Sequence, residues 1–337
     1  MACERFRTIN FRPDSAAKIV RMNEIIEEYQ AQGLRLTARQ LYYQFVSRDY
    51  IPNQPAEYKK LTALLTDARY AGLVDWDSIE DRGREPNTPS EWSNLKSLTE
   101  SALRSYRLPR WETQRSYVEL WVEKQALAGV LAPLAREHHV TLMVNKGYSS
   151  ASAMKESAER IKSKTIMNSE RLDEIETELR ECSDKYGQPS YEYTKLSERL
   201  GLELNADILR KSHIFYLGDH DPSGEDMVRD IAVRLREFGV LRLSVDKIAL
   251  TMDQVEEYDP PPNPAKITDP RAAGYIAKYG PHSWEVDALP PNVLAQLIRD
   301  AFSKIIDLPA MNTIKKQEEI DKKKLRKAVA EIMEDVP

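Results

Sequence analysis

The sequence predicts an α/β protein with a helical amino-terminal part and a parallel sheet in the remainder. In residues 14–71 the apolar side chains recur at helical spacing, whereas after residue 116 short apolar runs alternate with helix-period segments. Strands that alternate with helices are typical of βαβ units, in which neighbouring strands run parallel. We therefore expect a first domain with a linker over residues 1–112, an α/β domain over 113–310 and a charged helix over 311–337.

The amino-terminal part is predicted to contain three helices and a hairpin. The helices cover residues 14–31, 37–47 and 56–71, and the second begins with Thr-Ala-Arg-Gln, a capping-box sequence. Residues 73–84 follow and alternate as a short hairpin would. This order is typical of a winged helix-turn-helix domain, in which one helix contacts DNA. On the third helix the polar face suits phosphates and base edges, and it consists of Lys59, Thr62, Thr66 and Arg69. A solvated polar surface remains the alternative interpretation.

The α/β domain contains an insertion. Residues 163–211 are highly charged, with apolar residues at helical spacing and a Gly-Gln-Pro break, which favours a helical hairpin used for packing or dimerisation. Residues 85–112 resemble a Pro-rich linker, and residues 251–270 are expected to be irregular. The predicted strands are 117–122, 140–144, 213–217, 243–250 and 284–289, and the predicted helices are 125–138, 152–162, 225–238 and a tail helix from 312.

The composition is that of an ordinary globular protein. Of the 337 residues 31% are charged and 41% hydrophobic, and no apolar run approaches the roughly 20 residues of a membrane span. The amino terminus lacks the apolar stretch of a secretory signal, and only Cys3 and Cys182 could pair. We therefore expect a cytoplasmic protein without a membrane partner. The net charge of -5 permits DNA binding through a local basic face and is no independent argument for it.

Three acidic residues follow two of the predicted strands. Glu123 comes after the strand at 117–122, and Asp219 and Asp221 come after the strand at 213–217. Because ligands bind outside the carboxyl ends of parallel strands, we expect the three carboxylates at the same edge of the sheet. Oxygen ligands without a His or Cys cluster favour Mg²⁺ or Mn²⁺. Alternatively, the two Asp residues serve as turn and helix-cap residues and Glu123 is an exposed strand end.

These acidic motifs resemble a known domain. Residues 122–124 (Val-Glu-Lys) and 219–224 (Asp-His-Asp-Pro-Ser-Gly) resemble the signature of the TOPRIM domain, and most of all that of the topoisomerase VI A subunit family, which includes the meiotic double-strand-break protein. Lys146 begins a run similar to that family's Lys-Gly-x-Pro-Asp turn, with two Ser residues in place of Pro and Asp. Glu285 lies in a run that resembles the family's late Glu-x-x-Ala-Leu segment. The resemblance implies a TOPRIM-type fold, a metal site at the three carboxylates, a DNA contact at Lys146 and a supporting role for Glu285.

A second motif lies in the amino-terminal part. Residues 39–43 (Arg-Gln-Leu-Tyr-Tyr) are similar to the family's Arg-Asp-x-Tyr/Phe-Tyr run, whose last Tyr attacks a backbone phosphate and forms a 5′-phosphotyrosyl link. The resemblance implies that Tyr43 is the nucleophile. At about 100° per residue, Tyr43 points away from the apolar stripe of its helix, so we expect it outside the core, with Arg39 one turn earlier on the same side. There Arg39 could hold a phosphate or favour the phenolate. In the family the Tyr of one subunit works with the metal site of the other, which implies a homodimer.

Three functions remain open from the sequence. The first is a DNA-cleaving transesterase of the topoisomerase VI A type, and because no nucleotide-binding loop is visible it would need a separate ATPase subunit. The second is a TOPRIM nuclease that hydrolyses double-stranded DNA through metal-activated water. The third is a non-catalytic DNA-binding adaptor.

Overall fold

The computed structural model describes residues 5–80, 89–188, 190–203 and 207–334. Within these ranges the chain forms thirteen α-helices and eight strands, and none of the helices is both long and apolar enough to cross a membrane. The helices are α1 (Pro13–Gln30), α2 (Ala38–Ser47), α3 (Pro55–Tyr70), α4 (Leu95–Ser105), α5 (Gln125–His138), α6 (Ala151–Thr165), α7 (Ser169–Tyr186), α8 (Tyr191–Glu203), α9 (Pro222–Glu237), α10 (Met252–Tyr258), α11 (Ala272–Tyr279), α12 (Pro291–Ser303) and α13 (Leu308–Glu334). The strands are β1 (Leu36–Thr37), β2 (Ile79–Glu80), β3 (Ser116–Val122), β4 (Thr141–Val144), β5 (Lys211–Leu217), β6 (Leu243–Ala249), β7 (Asn263–Pro264) and β8 (His282–Ser283).

Helices α1, α2 and α3 pack around one core in the amino-terminal part. All three occur where the sequence predicts them, within one residue at each end. Helix α2 begins with the predicted capping box, because Gln40 N donates to Thr37 Oγ1 (3.1 Å) and Thr37 N donates to Gln40 Oε1 (3.0 Å). On α3 the buried side chains are Leu61, Leu65 and Ala68, as the apolar spacing predicts.

The region after α3 differs from the predicted hairpin. Asp75 Oδ1 accepts a hydrogen bond from Asp77 N (3.0 Å), which starts a 3₁₀ turn over Trp76–Ser78. β2 follows the turn and pairs in parallel with β1. A tight turn therefore replaces the first strand of the predicted hairpin, and residues 81–84 of that prediction lie outside the described residues.

The predicted linker over residues 85–112 contains helix α4. Its cap is reciprocal, because Ser97 N donates to Asn94 Oδ1 (2.8 Å) and Asn94 N donates to Ser97 Oγ (3.2 Å). The helix packs against α13, and the Tyr106 hydroxyl just beyond it donates to Asp321 (3.1 Å). The prolines that indicate a linker lie on either side of the helix, so the linker prediction was wrong for this middle part.

The parallel sheet of the α/β part confirms the predicted fold class. Its strand order is β4-β3-β5-β6, and all neighbouring pairs are parallel. Because β4 and β5 flank β3 on opposite sides, right-handed crossovers carry α5 over one face and α6 with α9 over the other. In agreement, α5 packs with α12, whereas α6 packs with α9. One continuous apolar core fills the space between the sheet and these helices.

The remaining segments agree with the sequence predictions in part. The charged insertion forms the predicted pair of helices, α7 and α8, which pack together. Residues 251–270, which were expected to be irregular, begin with helix α10, and a capping box formed by Thr251 and Gln254 starts it. The strand predicted at 284–289 is absent from this described segment, since only Trp284 pairs, with His220, and a 3₁₀ turn at Val286–Ala288 follows.

Candidate active site

The sheet has a topological switch point between β3 and β5. The two strands are neighbours, but β3 leads into a helix on one face and β5 into a helix on the other. Their carboxyl ends therefore open a crevice, which is where open α/β sheets bind ligands. Glu123 follows β3 directly, and Asp219 lies just beyond β5. The two meet there, because Asp219 N donates to Glu123 Oε2 (3.1 Å) and the Tyr216 hydroxyl donates to the same oxygen (3.2 Å).

Two glycines make this close approach feasible. A Cβ atom at Gly218 would lie 2.6 Å from the Tyr216 ring and 2.8 Å from Glu123 Oε2. A Cβ atom at Gly224 would lie 2.1 Å from the carbonyl oxygen of Asp219. Both positions therefore require glycine, so that the loop between β5 and α9 can lie against Glu123.

Asp221 has a different local role from Asp219. Its Oδ1 accepts hydrogen bonds from Gly224 N (2.6 Å) and Ser223 Oγ (2.8 Å), so it caps α9. This is the cap role that the sequence left open as an alternative. The structure thus brings Glu123 and Asp219 into contact. Asp221, the third predicted metal ligand, instead caps a helix.

The ammonium group of Lys124 lies among several carboxylates. Lys124 Nζ is 2.8 Å from Asp219 Oδ1, 3.0 Å from Glu285 Oε2 and 2.8 Å from Asp287 Oδ2. Arg39 Nη1 lies 3.0 Å from the nearest carboxylate oxygen of Glu285. We use the name carboxylate cluster for the four acidic residues that meet here, namely Glu123, Asp219, Glu285 and Asp287. When all groups are ionised, the four carboxylates exceed the two cations by two negative charges.

A long-range backbone contact brings the later acids to the site. His220 N donates to Trp284 O (2.8 Å), and Trp284 N donates to His220 O (2.9 Å). Two residues further on, Val286 N donates to Asp219 Oδ1 (2.9 Å). The segment that carries Glu285 and Asp287 is therefore fixed against the loop after β5.

The pKa values of the site reflect burial and this crowding of negative charge. Burial raises the pKa of Asp219 to about 7, and Glu123 and Asp287 act in the same direction, whereas Lys124 lowers it. For Lys124 itself burial lowers the pKa, but Asp287, Asp219 and Glu285 outweigh burial, so its pKa is raised. The ammonium group is therefore charged, and Asp219 competes for a proton near neutral pH.

The carboxylate cluster has the ligand chemistry of a Mg²⁺ or Mn²⁺ site. Its donors are hard oxygens, and in the buried Asp287 carboxylate Oδ1 has no hydrogen-bond partner among the described residues, while Oδ2 contacts the Lys124 ammonium at 2.8 Å. As the side chains stand, no three His, Cys, Asp or Glu residues in the described ranges are grouped as metal ligands, and the Lys124 ammonium lies between the carboxylates. The residues that could hold a divalent cation at this edge of the sheet are Glu123, Asp219 and Asp287, once the Lys124 ammonium moves away from the last two.

Tyr43 is buried, contrary to its expected position outside the core. It is 3% exposed, and its hydroxyl accepts a hydrogen bond of 3.3 Å from Asn263 Nδ2. The helical spacing accounts only for the amino-terminal core, whereas the 3₁₀ turn at Val286–Ala288 also packs on α2. Burial and the charge of Glu285 raise the pKa of Tyr43 above its ordinary value, although the Asn263 hydrogen bond and Arg39 lower it. The phenol is therefore protonated and shielded in this conformation.

A cleft of about 620 Å³ lies beside the carboxylate cluster, and residues of α2 and α3 form its opposite wall. Glu123 and Asp287 line it on the acidic side, and Arg39, Arg69, Lys124 and Lys146 contribute positive charge. The predicted DNA contacts at Arg69 and Lys146 thus lie at the same cleft as the acidic residues. Such a cleft can receive a polyanion while a carboxylate-bound cation faces it.

The other predicted DNA contacts lie outside the lining of this cleft. Lys59 is exposed on the surface of α3. The Thr62 hydroxyl donates to Tyr58 O (3.0 Å), and the Thr66 hydroxyl donates to Thr62 O (3.0 Å). Both hydroxyls therefore bond to their own helix, and any contact of these three residues with DNA would occur on the outer surface of α3.

Sequence reasoning did not assign Lys124 or Asp287 to the site. Each lies close in the chain to a residue that was singled out, Lys124 next to Glu123 and Asp287 two residues after Glu285. Their nearness in the chain to these residues could have indicated that they belong to the site. The sequence does not show, however, that the Lys124 ammonium lies among the carboxylates.

The chain was compared with family models, with curated proteins and with solved structures, and it has no match in any of the three.

Proposed function

We propose that this protein cleaves phosphodiester bonds of DNA in a reaction that depends on Mg²⁺ or Mn²⁺. One observation carries the proposal, namely that two acids of the carboxylate cluster and four basic side chains line one cleft at the switch point of the sheet. Phosphodiester chemistry uses both features, carboxylates to hold a divalent cation and positive groups to hold phosphates. The acids are Glu123 and Asp287, and the basic side chains are Arg39, Arg69, Lys124 and Lys146.

The order of motifs along the sheet supports a finer assignment of the domains. We propose that residues 113–310 form a TOPRIM-type domain and that the preceding helices form a winged-helix domain that docks on double-stranded DNA. The TOPRIM signature has a Glu after one strand and an Asp-x-Asp after a later one. Here the corresponding strands, β3 and β5, are direct neighbours.

Several side chains at and beside the cleft have distinct parts in the proposed reaction. Glu123, Asp219 and Asp287 would hold the cation, which when bound polarises the phosphate and stabilises the leaving oxygen. Arg39 and Lys146 would bind phosphates on either side of the scissile bond. The carboxylate of Asp221 keeps the loop after β5 in place by capping α9.

Water is the nucleophile that the geometry favours. Tyr43 is protonated and 3% exposed, and its pKa is raised, so it is a poor attacking group in this conformation. Glu123 and Asp287 of the carboxylate cluster, in contrast, line an open cleft wide enough for water. We therefore propose hydrolysis, as in a TOPRIM nuclease.

Transesterification by Tyr43 is the second candidate. Arg39 precedes Tyr43 by one turn of α2, and Asn263 holds the phenol through a single 3.3 Å hydrogen bond. Separation of α2 from the segment around Asn263 would expose the hydroxyl. This route would follow the topoisomerase VI A family, with a homodimer that pairs Tyr43 of one subunit with the metal site of the other, and with a separate ATPase subunit for strand passage.

Plasmid cleavage tests the proposal. Supercoiled DNA is incubated with Mg²⁺ or Mn²⁺ and the wild-type protein, Tyr43→Phe, Asp219→Ala or the control Asp246→Asn, whose carboxylate is half exposed on β6. We expect protein-free cuts that persist in Tyr43→Phe and Asp246→Asn and disappear in Asp219→Ala. Cuts that carry covalently bound protein, and that Tyr43→Phe abolishes, would favour transesterification. Absence of metal-dependent cutting by the wild-type protein would overturn the proposal in favour of a non-catalytic adaptor.

A further inference from the structure

A second cavity lies at the opposite end of the parallel sheet from the carboxylate cluster. Its volume is about 550 Å³, which is within the range typical of small-molecule sites. Residues at the starts of β3, β4 and β5 line it, namely Tyr117, Thr141 and Arg210, the last of which directly precedes β5. Since β3 has seven residues at about 3.3 Å each, about 20 Å separate this cavity from the carboxyl ends of the strands. A ligand bound in it would therefore leave the cleft open.

Arg210 is a buried cation in the wall of this cavity. The residue is 7% exposed, and in the described part of the chain it forms no ion pair with a carboxylate. Its guanidinium group donates to Trp111 O (2.7 Å) and to Glu112 O, which uses two of its five N–H groups. Burial lowers the pKa of Arg210, and the charge of Glu112 raises it by less. Because a buried charge is costly without an opposite charge, an anion in the cavity would stabilise this guanidinium.

Lys164 contributes a second positive charge to the same cavity. It is exposed in the last turn of α6, and within the described ranges no carboxylate pairs with it. Arg210 N donates to Thr165 O (2.8 Å), so the backbone next to Lys164 runs beside Arg210. Arg110 also lines the cavity, but Glu318 already accepts two hydrogen bonds of 2.8 Å from it. Lys164 and Arg210 are therefore cations that a ligand could neutralise.

The charges and the apolar part of the wall favour one class of ligand. A phosphate monoester carries about two negative charges near pH 7, which matches the two cations Arg210 and Lys164. Guanidinium N–H groups fit the geometry of phosphate oxygens, and an ammonium group binds phosphate as a point charge. Next to Lys164 in the chain, Ile166 and Met167 line the cavity, and Met167 is 44% exposed. These side chains suit an apolar body attached to the phosphate.

We propose that this cavity is a binding site for a phosphate monoester with an apolar or aromatic body, such as a nucleoside monophosphate. Arg210 and Lys164 hold the phosphate, and Ile166 and Met167 contact the body of the ligand. Binding involves no covalent step. Because the cavity lies at the other end of the sheet from the carboxylate cluster, the proposal does not depend on the cleavage of DNA.

Titration calorimetry of the full chain with dAMP, in the presence of a chelator, tests the proposal. The wild-type protein should bind one dAMP per chain, and inorganic phosphate should bind more weakly because it lacks the apolar body. Lys164→Met should weaken dAMP binding about 10-fold, since it removes one charged contact with the phosphate. Because Lys164 is exposed, its replacement should leave the thermal unfolding midpoint unchanged. Lys155→Met, also exposed on α6, and Lys146→Met, in the cleft, are the controls and should bind dAMP as the wild type does.

Three other results would overturn the proposal. If the wild-type protein binds neither dAMP nor inorganic phosphate, the cavity is not a phosphate site. If Lys146→Met weakens dAMP binding and Lys164→Met does not, the phosphate binds in the cleft instead. Equal affinities for dAMP and inorganic phosphate would refute the contact between the apolar wall and the body of the ligand. All three results are obtained without a divalent cation and without DNA, so plasmid cleavage tests the proposed function separately.

Discussion

Replacement of Asp219 by Asn should stabilise the protein, and more so at alkaline than at acidic pH. In the unfolded chain an Asp carboxyl group releases its proton near pH 4, whereas burial raises the pKa of Asp219 to about 7 in the folded protein. Between these values the folded state binds more protons than the unfolded state, so the free energy of unfolding falls as pH rises. Asn cannot ionise and avoids this loss, and its side-chain oxygen can still accept the hydrogen bond from Val286 N.

The size of the effect follows from the two pKa values. One pKa unit corresponds to about 1.4 kcal/mol, so the advantage of Asp219→Asn should be about 2 to 3 kcal/mol larger at about pH 8 than at about pH 5. Urea unfolding at both pH values in the presence of a chelator measures this difference. Gly201→Ala is the control, because it changes no ionisable group and has open space around it, and its effect should not change with pH. Equal effects of Asp219→Asn at both pH values, or a less stable variant at about pH 8, would refute the reasoning.

Three further predictions concern the same site. Mn²⁺ or Mg²⁺ at about a hundred times its dissociation constant should add about 3 kcal/mol to the free energy of unfolding. The gain should be larger at about pH 8 than at about pH 5, because protons compete for Asp219, and a pH-independent gain in urea titrations would contradict this. Lys124→Met should lose about 3 to 5 kcal/mol in a chelator, because three carboxylates lose their ammonium partner, and Mn²⁺ should restore part of this loss. Unchanged unfolding of this variant would show that the ion pairs do not matter. Gly224→Ala should lower the unfolding midpoint and abolish the Mn²⁺ effect, because its Cβ would lie 2.1 Å from Asp219 O, whereas Gly201→Ala, with open space around it, should do neither.

The sequence predicted the two strands that end at the site. β3 and β5 are mostly apolar strands buried on both faces, and their ends, with Glu123 and Asp219, lie where the pattern predicted them. Helix α4 was missed because its cap, Asn94 with Ser97, lies among prolines that dominate the local pattern. Tyr43 was misplaced because helical spacing describes one buried face, whereas α2 is covered on a second side by another part of the chain.

Which residues form the site was harder to predict than where the site lies. The loop after β5 is recognisable by its Asp-His-Asp-Pro-Ser-Gly sequence, and the sheet topology brings it to Glu123. The contact between His220 and Trp284, in contrast, joins segments far apart in the chain, and no local pattern encodes it. That contact brings in Asp287, one of the three carboxylates on which the metal proposal depends.

Glu285 connects the carboxylates around Lys124, where water would attack, with the surroundings of Tyr43. Its Oε2 lies 3.0 Å from both Lys124 Nζ and Arg39 Nη1, and Arg39 in turn lowers the pKa of Tyr43. Removal of the ammonium in Lys124→Met would therefore leave Arg39 as the remaining close cation of Glu285 and strengthen that pair. A stronger pair would hold α2 more firmly against the segment that covers Tyr43. If hydrolysis is the reaction, Lys124→Met should retain Tyr43-independent cleavage when Mn²⁺ is bound. If Tyr43 is the nucleophile, the same variant should cut more slowly, because Tyr43 must leave that segment to reach DNA.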